Sequence, residues 1–216
     1  MRDWMIVSAC VFVIIVTALF VYQSFTAPYS TKAAETDKID VSIEPLQTAK
    51  IDTIIPVLML SGSKYSITPK AKYQISGMLV SKRHYLRGYM KHLSPYDYAL
   101  IWGDVPQYLE FLKFDQIVRF CLFKYKPGLP ISVEYVGNHL SNNHLIPATK
   151  NIRKALGKPK RKDLITLHGY LVKVYGQDKK GRTTTWNSSM NRTDDGNGAC
   201  EIIYVTRLRI NDDIFE

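Results

Sequence analysis

From Trp4 to Phe25 the chain runs for 22 residues without a Lys, Arg, Asp or Glu, and Val, Ile, Leu and Phe dominate the run. No other feature restricts the chain so strongly, because a helix rising about 1.5 Å per residue crosses a hydrocarbon layer in about 20 residues. A cleaved leader has a shorter apolar stretch, and the nearest small-x-small signal, Thr31 to Ala33, lies beyond the apolar end. The run therefore predicts a retained transmembrane anchor over residues 1–26. Arg2 precedes it, Asp3 offsets one charge, and the next cation is Lys32, so the positive-inside bias orients the rest of the chain out of the cytoplasm.

The remaining length leaves room for one modest domain. With 46% hydrophobic and 22% charged residues among 216, and only 12 Gly, 10 Pro and 3 Cys, the chain is neither disordered throughout nor a disulfide-dense mini-protein. The net charge of +10 resides in residues 73–162, which hold fifteen Lys/Arg against five Asp/Glu. Within that segment Lys150, Arg153, Lys154, Lys158, Lys160, Arg161 and Lys162 crowd together with no acid among them. Such a run is either a solvated face or a surface that seeks anionic lipid or polymer, and an outward topology argues against nucleic acid.

Residues 27–72 read as a stalk or linker, rich in Ser, Thr, Lys and Asp and carrying Pro28, Pro45 and Pro56. A globular α+β domain is expected over 73–216, an antiparallel sheet or small barrel with short helices inserted. Alternation marks a strand from Tyr73. Ser94-Pro95-Tyr96-Asp97 carries helix-start chemistry and predicts a short helix to Gly103, and Val105, Tyr108, Leu109 and Leu112 predict another. Ile117 to Tyr125 reads as a central strand. Pro130 to Leu140 and Pro147 to Leu156 read as short helices with a polar loop between them. Strands are expected over Leu164 to Tyr175, Thr183 to Met190 and Ala199 to Ile210.

Three strings carry a resemblance: Ser94-Pro95-Tyr96-Asp97-Tyr98-Ala99-Leu100-Ile101-Trp102-Gly103; Asn143-His144-Leu145-Ile146-Pro147-Ala148; and Trp186-Asn187-Ser188-Ser189-Met190-Asn191-Arg192-Thr193-Asp194-Asp195-Gly196-Asn197-Gly198-Ala199-Cys200-Glu201. Over about residues 73–205 the chain resembles an uncharacterised bacterial family of membrane-anchored proteins. The resemblance implies a single-pass protein of the bacterial inner (plasma) membrane with one extracytoplasmic domain, and implies no activity, substrate or cofactor.

The polar strings nominate a site. Asn143 and His144 on one loop, and Ser188, Ser189, Arg192, Asp194 and Glu201 near another, are expected to come together, since loops held by a sheet carry most functional groups. An enzyme would draw on Asp97, His144, Asp194 and Glu201, yet no Gly-x-Ser-x-Gly elbow, phosphate-cradling loop or metal-ligand spacing is present. No catalytic residue, metal or cofactor is assigned. Cys10 falls in the apolar run, leaving Cys121 and Cys200 either as core thiols or as one disulfide. Twelve aromatics between Tyr85 and Tyr135 are read mainly as core, with a contact face as the alternative. The expected function is a membrane-tethered binding or scaffold protein of the envelope, partnered by an envelope protein or by anionic lipid or polymer. The alternative is an envelope enzyme acting on an anionic or carbohydrate polymer.

Overall fold

A computed structural model describes residues 8, 11–18, 26–49, 51–191 and 200–216. In chain order its elements are β1 (Thr31–Lys32), β2 (Leu46–Thr48), β3 (Leu58–Leu60), β4 (Ser63–His84), β5 (Tyr96–Ile101), β6 (Leu112–Ile117), β7 (Phe120–Tyr125), α1 (Val133–Asn138), β8 (Leu140–Pro147), α2 (Lys150–Ala155), β9 (Leu164–Gln177), β10 (Thr183–Asn187), β11 (Glu201–Ile210) and β12 (Asp213–Phe215). The spine is β4, 22 residues long, which pairs antiparallel with β9 over Lys64 to Met78 and with β5 over Met78 to His84. From β5 the pairing passes antiparallel to β8, parallel to β11, and antiparallel back to β9. The circuit closes: numbered along the chain, its five strands stand in the order first, second, third, fifth, fourth, with α2 between the third and fourth. That is a Greek-key barrel with the topology of an OB fold.

Alternation decides what fills the barrel. Tyr73, Ile75, Tyr98, Leu100, Leu145, Leu167, Ile203 and Val205 all point inward and are buried. Ile152, Ala155 and Leu156 from α2 plug one end, where the Tyr98 hydroxyl donates to the Leu156 carbonyl at 2.6 Å. Two outer layers cover the barrel. The β6–β7 hairpin lays Leu112 and Phe114 over Val80, Ala99 and Ile101. On another side, Tyr65, Ile67, Val172 and Val174 pack on Ile146, Ile202 and Tyr204. A register shift between Pro69 and Ala71 makes this second layer possible. It flips the side-chain parity of β4, so Tyr73 fills the barrel while Tyr65 folds over its outside. Closure also needs Gly169, because a Cβ there would collide with the Tyr204 carbonyl on the neighbouring strand.

Residues 27–48 form a strap bound along the barrel, although their composition reads as a stalk. The strand β1 pairs with β12 and β2 pairs with β4. Tyr29 is held by Asn151, Arg209 pairs with Asp37 at 2.9 Å, and the Gly103 amide donates to the Val41 carbonyl at 2.8 Å. Short polar segments of this kind satisfy their backbone on another element's edge, which composition does not register.

The fold class differs from the α+β expectation. The described chain is mostly β, and no helix among the described residues is long and apolar enough to cross a membrane. Of the expected span Trp4 to Phe25 only 8 and 11–18 are described, so the anchor itself falls largely outside the described residues. Residues 94–103 make β5 instead of a helix, because Tyr98 and Leu100 pack inside the barrel while Ala99 and Ile101 pack under the hairpin. Both faces are buried, so the alternation that marks a half-exposed strand is missing and the cap-like residues dominate the reading. After Gly103 only a 3-10 turn, Val105–Tyr108, replaces the second expected helix. Residues 117–125 belong to an outer hairpin and not to the centre of a sheet. The expected helices near 130–140 and 147–156 are present as α1 and α2, but Ser141 to His144 between them lie in a barrel strand, not in a loop.

Candidate functional site

The antiparallel register of β5 and β8 sets Asp97 directly opposite His144. Their side chains share the outer face of the barrel, and His144 Nδ1 stands 2.9 Å from Asp97 Oδ2. Both side chains are almost fully buried. Arg119 comes from the two-residue turn joining β6 to β7, and its Nη1 donates to Asp97 Oδ1 at 2.8 Å while Nη2 donates to the Ser94 carbonyl at 2.9 Å. The guanidinium lies 4.0 Å from the Tyr85 ring centre and 5.3 Å from that of Trp186. The rings of His144 and Trp186 are 4.7 Å apart.

The turn is strained, and its strain is matched by contacts. Val118 has φ 47° and Arg119 φ 64°, the left-handed pair that a tight hairpin requires and that Asn-Gly normally supplies. A β-branched residue in that region is unfavourable by about 1–2 kcal/mol. The bonds of the Arg119 side chain offset it, as does its own carbonyl, which accepts from Asn142 Nδ2 at 2.7 Å. Asn142 is fixed in turn by Gln116 at 2.7 Å, and Gln116 by Ser81 at 3.0 Å.

The polar bookkeeping of this cluster is incomplete. Tyr85 Oη, Asp97 Oδ2 and His144 Nδ1 are buried, and none has a hydrogen bond of normal geometry among the described residues. His144 Nδ1 and Asp97 Oδ2 nevertheless face each other at 2.9 Å. Burial, and next the Asp97 carboxylate, push the Tyr85 phenol well above its ordinary pKa, so it remains a donor. The three atoms cluster around the Asp97 carboxylate, and of their residues His144 lines an opening where a further polar group can complete the network. The opening is a cleft of about 360 Å³ lined by Arg119, Phe120, His144, Thr185, Trp186, Asn187 and Cys200.

The residues nominated from sequence divide by strand parity. His144 faces the cleft. Asn143 and Glu201 are cross-strand neighbours on the opposite, inward face, where Ser141 Oγ donates to Glu201 Oε2 at 2.5 Å. Ser188 and Ser189 clamp β10 to the start of β11: Ser188 Oγ accepts from the Ile202 amide at 3.0 Å, and the Ser189 amide donates to the Cys200 carbonyl at 3.2 Å. Arg192 and Asp194 lie outside the described residues. Sequence reasoning missed Tyr85, Arg119 and Trp186 as site residues; only the contact-face alternative for the aromatics between Tyr85 and Tyr135 pointed toward the first. Cys121 and Cys200 are free thiols, and burial pushes Cys200 up to about 11. Among the described residues no three His, Cys, Asp or Glu side chains converge as metal ligands.

A second cleft, about 310 Å³, lies under the strap. Arg209 there is paired with Asp37 and Arg207 with Glu216 at 3.3 Å, so its charges already hold the strap and the chain end. No family model, no curated protein and no solved structure matches the chain.

Proposed function

We propose that the chain is a binding module of the bacterial envelope and that its ligand enters the cleft between the β6–β7 turn and β10. The observation that carries this reading is the cleft's lining, in which His144, backed by the buried Asp97, stands beside Arg119 and the Trp186 ring. The ligand class follows from the lining. Asp97 offsets the Arg119 charge, so the cleft has little call on an anion. Trp186 and Phe120, the latter 38% exposed, offer ring faces, while the exposed residues Thr185 and Asn187, on either side of Trp186 along β10, add polar groups to the lining. Flat apolar faces with neutral hydrogen-bonding groups suit a sugar ring. The cleft also lies on the outer face of the second and third barrel strands, where OB barrels bind oligosaccharides and oligonucleotides, a likeness of fold alone.

A second reading, an enzyme, is favoured by the Asp97–His144 contact, which is the orienting half of a hydrolytic constellation. The nucleophile counts against it. The Ser188 and Ser189 hydroxyls donate to main-chain carbonyls, and Cys200 is protonated at neutral pH.

Titration of the full chain with N-acetylglucosamine oligomers, followed by tryptophan emission and calorimetry, tests the binding reading. Trp186→Ala is expected to weaken binding about tenfold or more. If the wild type binds no neutral oligosaccharide, the ligand class is wrong; turnover abolished by His144→Ala would replace the module with an enzyme. The envelope placement rests on the family resemblance. An alkaline phosphatase fusion after Glu216 is expected to be active, and an inactive, stably expressed fusion would refute it.

A further inference from the structure

The cations of residues 150–162 separate into built-in and free ones. Arg153 Nη2 donates to the His92 carbonyl at 2.7 Å, and Lys158 sits 5.3 Å from the Phe215 ring centre. Lys150, Lys154 and Lys160 are exposed and form no ion pair among the described residues. Nearby acids are already engaged: Asp213 pairs with Lys32 at 3.0 Å, and Asp163 accepts from the Lys160 amide and from Asn211. Glu110 reaches only the far end, sharing a shallow cleft with Arg161 and Lys162.

Two further features belong to the same face. The Arg153–His92 bond holds the loop after β4 against α2, and that loop presents Arg87 together with Leu86, which is 71% exposed. The strap also joins the folded body here. The Tyr29 amide donates to Asn151 Oδ1 at 3.0 Å, and Asn151 Nδ2 donates back to the Tyr29 carbonyl at 2.9 Å. Tyr29 lies only four residues beyond the charge-free run Trp4 to Phe25. Tyr29, four positions past the charge-free run, and the unneutralised cations therefore share one short helix.

We propose that this face, made of α2, the 157–162 turn and the loop at 85–92, rests on an anionic lipid surface, with its lysines against headgroup phosphates and Leu86 at the acyl boundary. A soluble anion fits less well, because these lysines stand on open surface with no concave, buried donor set around them. A bilayer instead supplies many phosphates in a plane, and each cation beside it favours association by about fivefold, an effect confined to about 8 Å at physiological salt.

The test mixes the full chain with vesicles of phosphatidylcholine, alone or with phosphatidylglycerol, and follows acylation of individual lysines by mass spectrometry. Acylation of Lys150, Lys154 and Lys160 is expected to slow about threefold or more in the anionic vesicles and to recover at about 0.5 M salt, with exposed Lys173 on β9 unchanged. A Leu86→Trp variant adds a readout of depth. Its emission is expected to shift blue in anionic vesicles, and the shift to vanish when Lys150→Glu, Lys154→Glu and Lys160→Glu are combined in a chain with an unaltered denaturation midpoint. Equal acylation in neutral and anionic vesicles would overturn the proposal. So would protection by inorganic phosphate or polyphosphate without vesicles, which would assign the face to a soluble anion, or a blue shift that survives the triple reversal.

Discussion

Replacing Asp97 by Ala is expected to destabilise the folded chain by about 3–5 kcal/mol, read as a lower urea midpoint with little change in slope. The carboxylate is fully buried and is the partner of the Arg119 guanidinium, whose own side chain is only 21% exposed. Without it a cation is left unpaired between Tyr85 and Trp186, and the left-handed Val118–Arg119 turn loses one of the contacts that offset it. The loss should therefore be local first, with amide exchange in β6 and β7 rising before exchange in the barrel strands. Asp97→Leu combined with Arg119→Met is the informative control. Removing both charges together is expected to restore most of the stability, because a buried pair replaced by apolar side chains is often neutral. It should not restore ligand binding. A double variant as unstable as Asp97→Ala would show that Asp97 supports the fold by some route other than Arg119.

Asn151→Ala is expected to cost about 3 kcal/mol, an unusual amount for one residue on a six-residue helix. The Asn151 side chain accepts from the Tyr29 amide, donates to the Tyr29 carbonyl and donates at 3.0 Å to the Glu216 carbonyl. It ties the strap and the chain end to α2, and alanine leaves all three main-chain groups without that partner. Limited proteolysis is the second measurement: new cleavage should appear between residues 29 and 45 while the barrel stays intact. Cleavage unchanged from wild type would mean that β1, β2, the Asp37–Arg209 pair and the Gly103–Val41 bond hold the strap without Asn151.

Legibility in the sequence followed burial pattern. The three C-terminal strands and the part of β4 from Tyr73 were readable because apolar residues there alternate or run together between glycines, whereas the first ten residues of β4, from Ser63, were read as linker. The barrel strand at 96–101 was not, since both of its faces are covered and Ser94-Pro95 imitates a helix start. His144 was nominated by composition alone, but composition could not separate it from Asn143, one residue away and on the other face. Only the pairing with β5 and β11 decides that split. Arg119 stands in a largely apolar stretch, and its partner lies 22 positions back on a strand that the hairpin covers. No local pattern encodes a pair whose geometry is set by strand order.

The pairing of Thr31 with Ile214 has a consequence for the order of events during synthesis. The strap is made before the barrel strands, and its partner strand β12 follows all of them. At about 5–20 residues per second, the strap waits roughly 10–40 s before β12 exists to receive it. The barrel strands, and the β6–β7 hairpin with Arg119, are all made inside that interval. The nascent chain therefore has every strand of its cleft before β1 has a strand to pair with, whereas the partner of Tyr29, Asn151 on α2, is made well before β12.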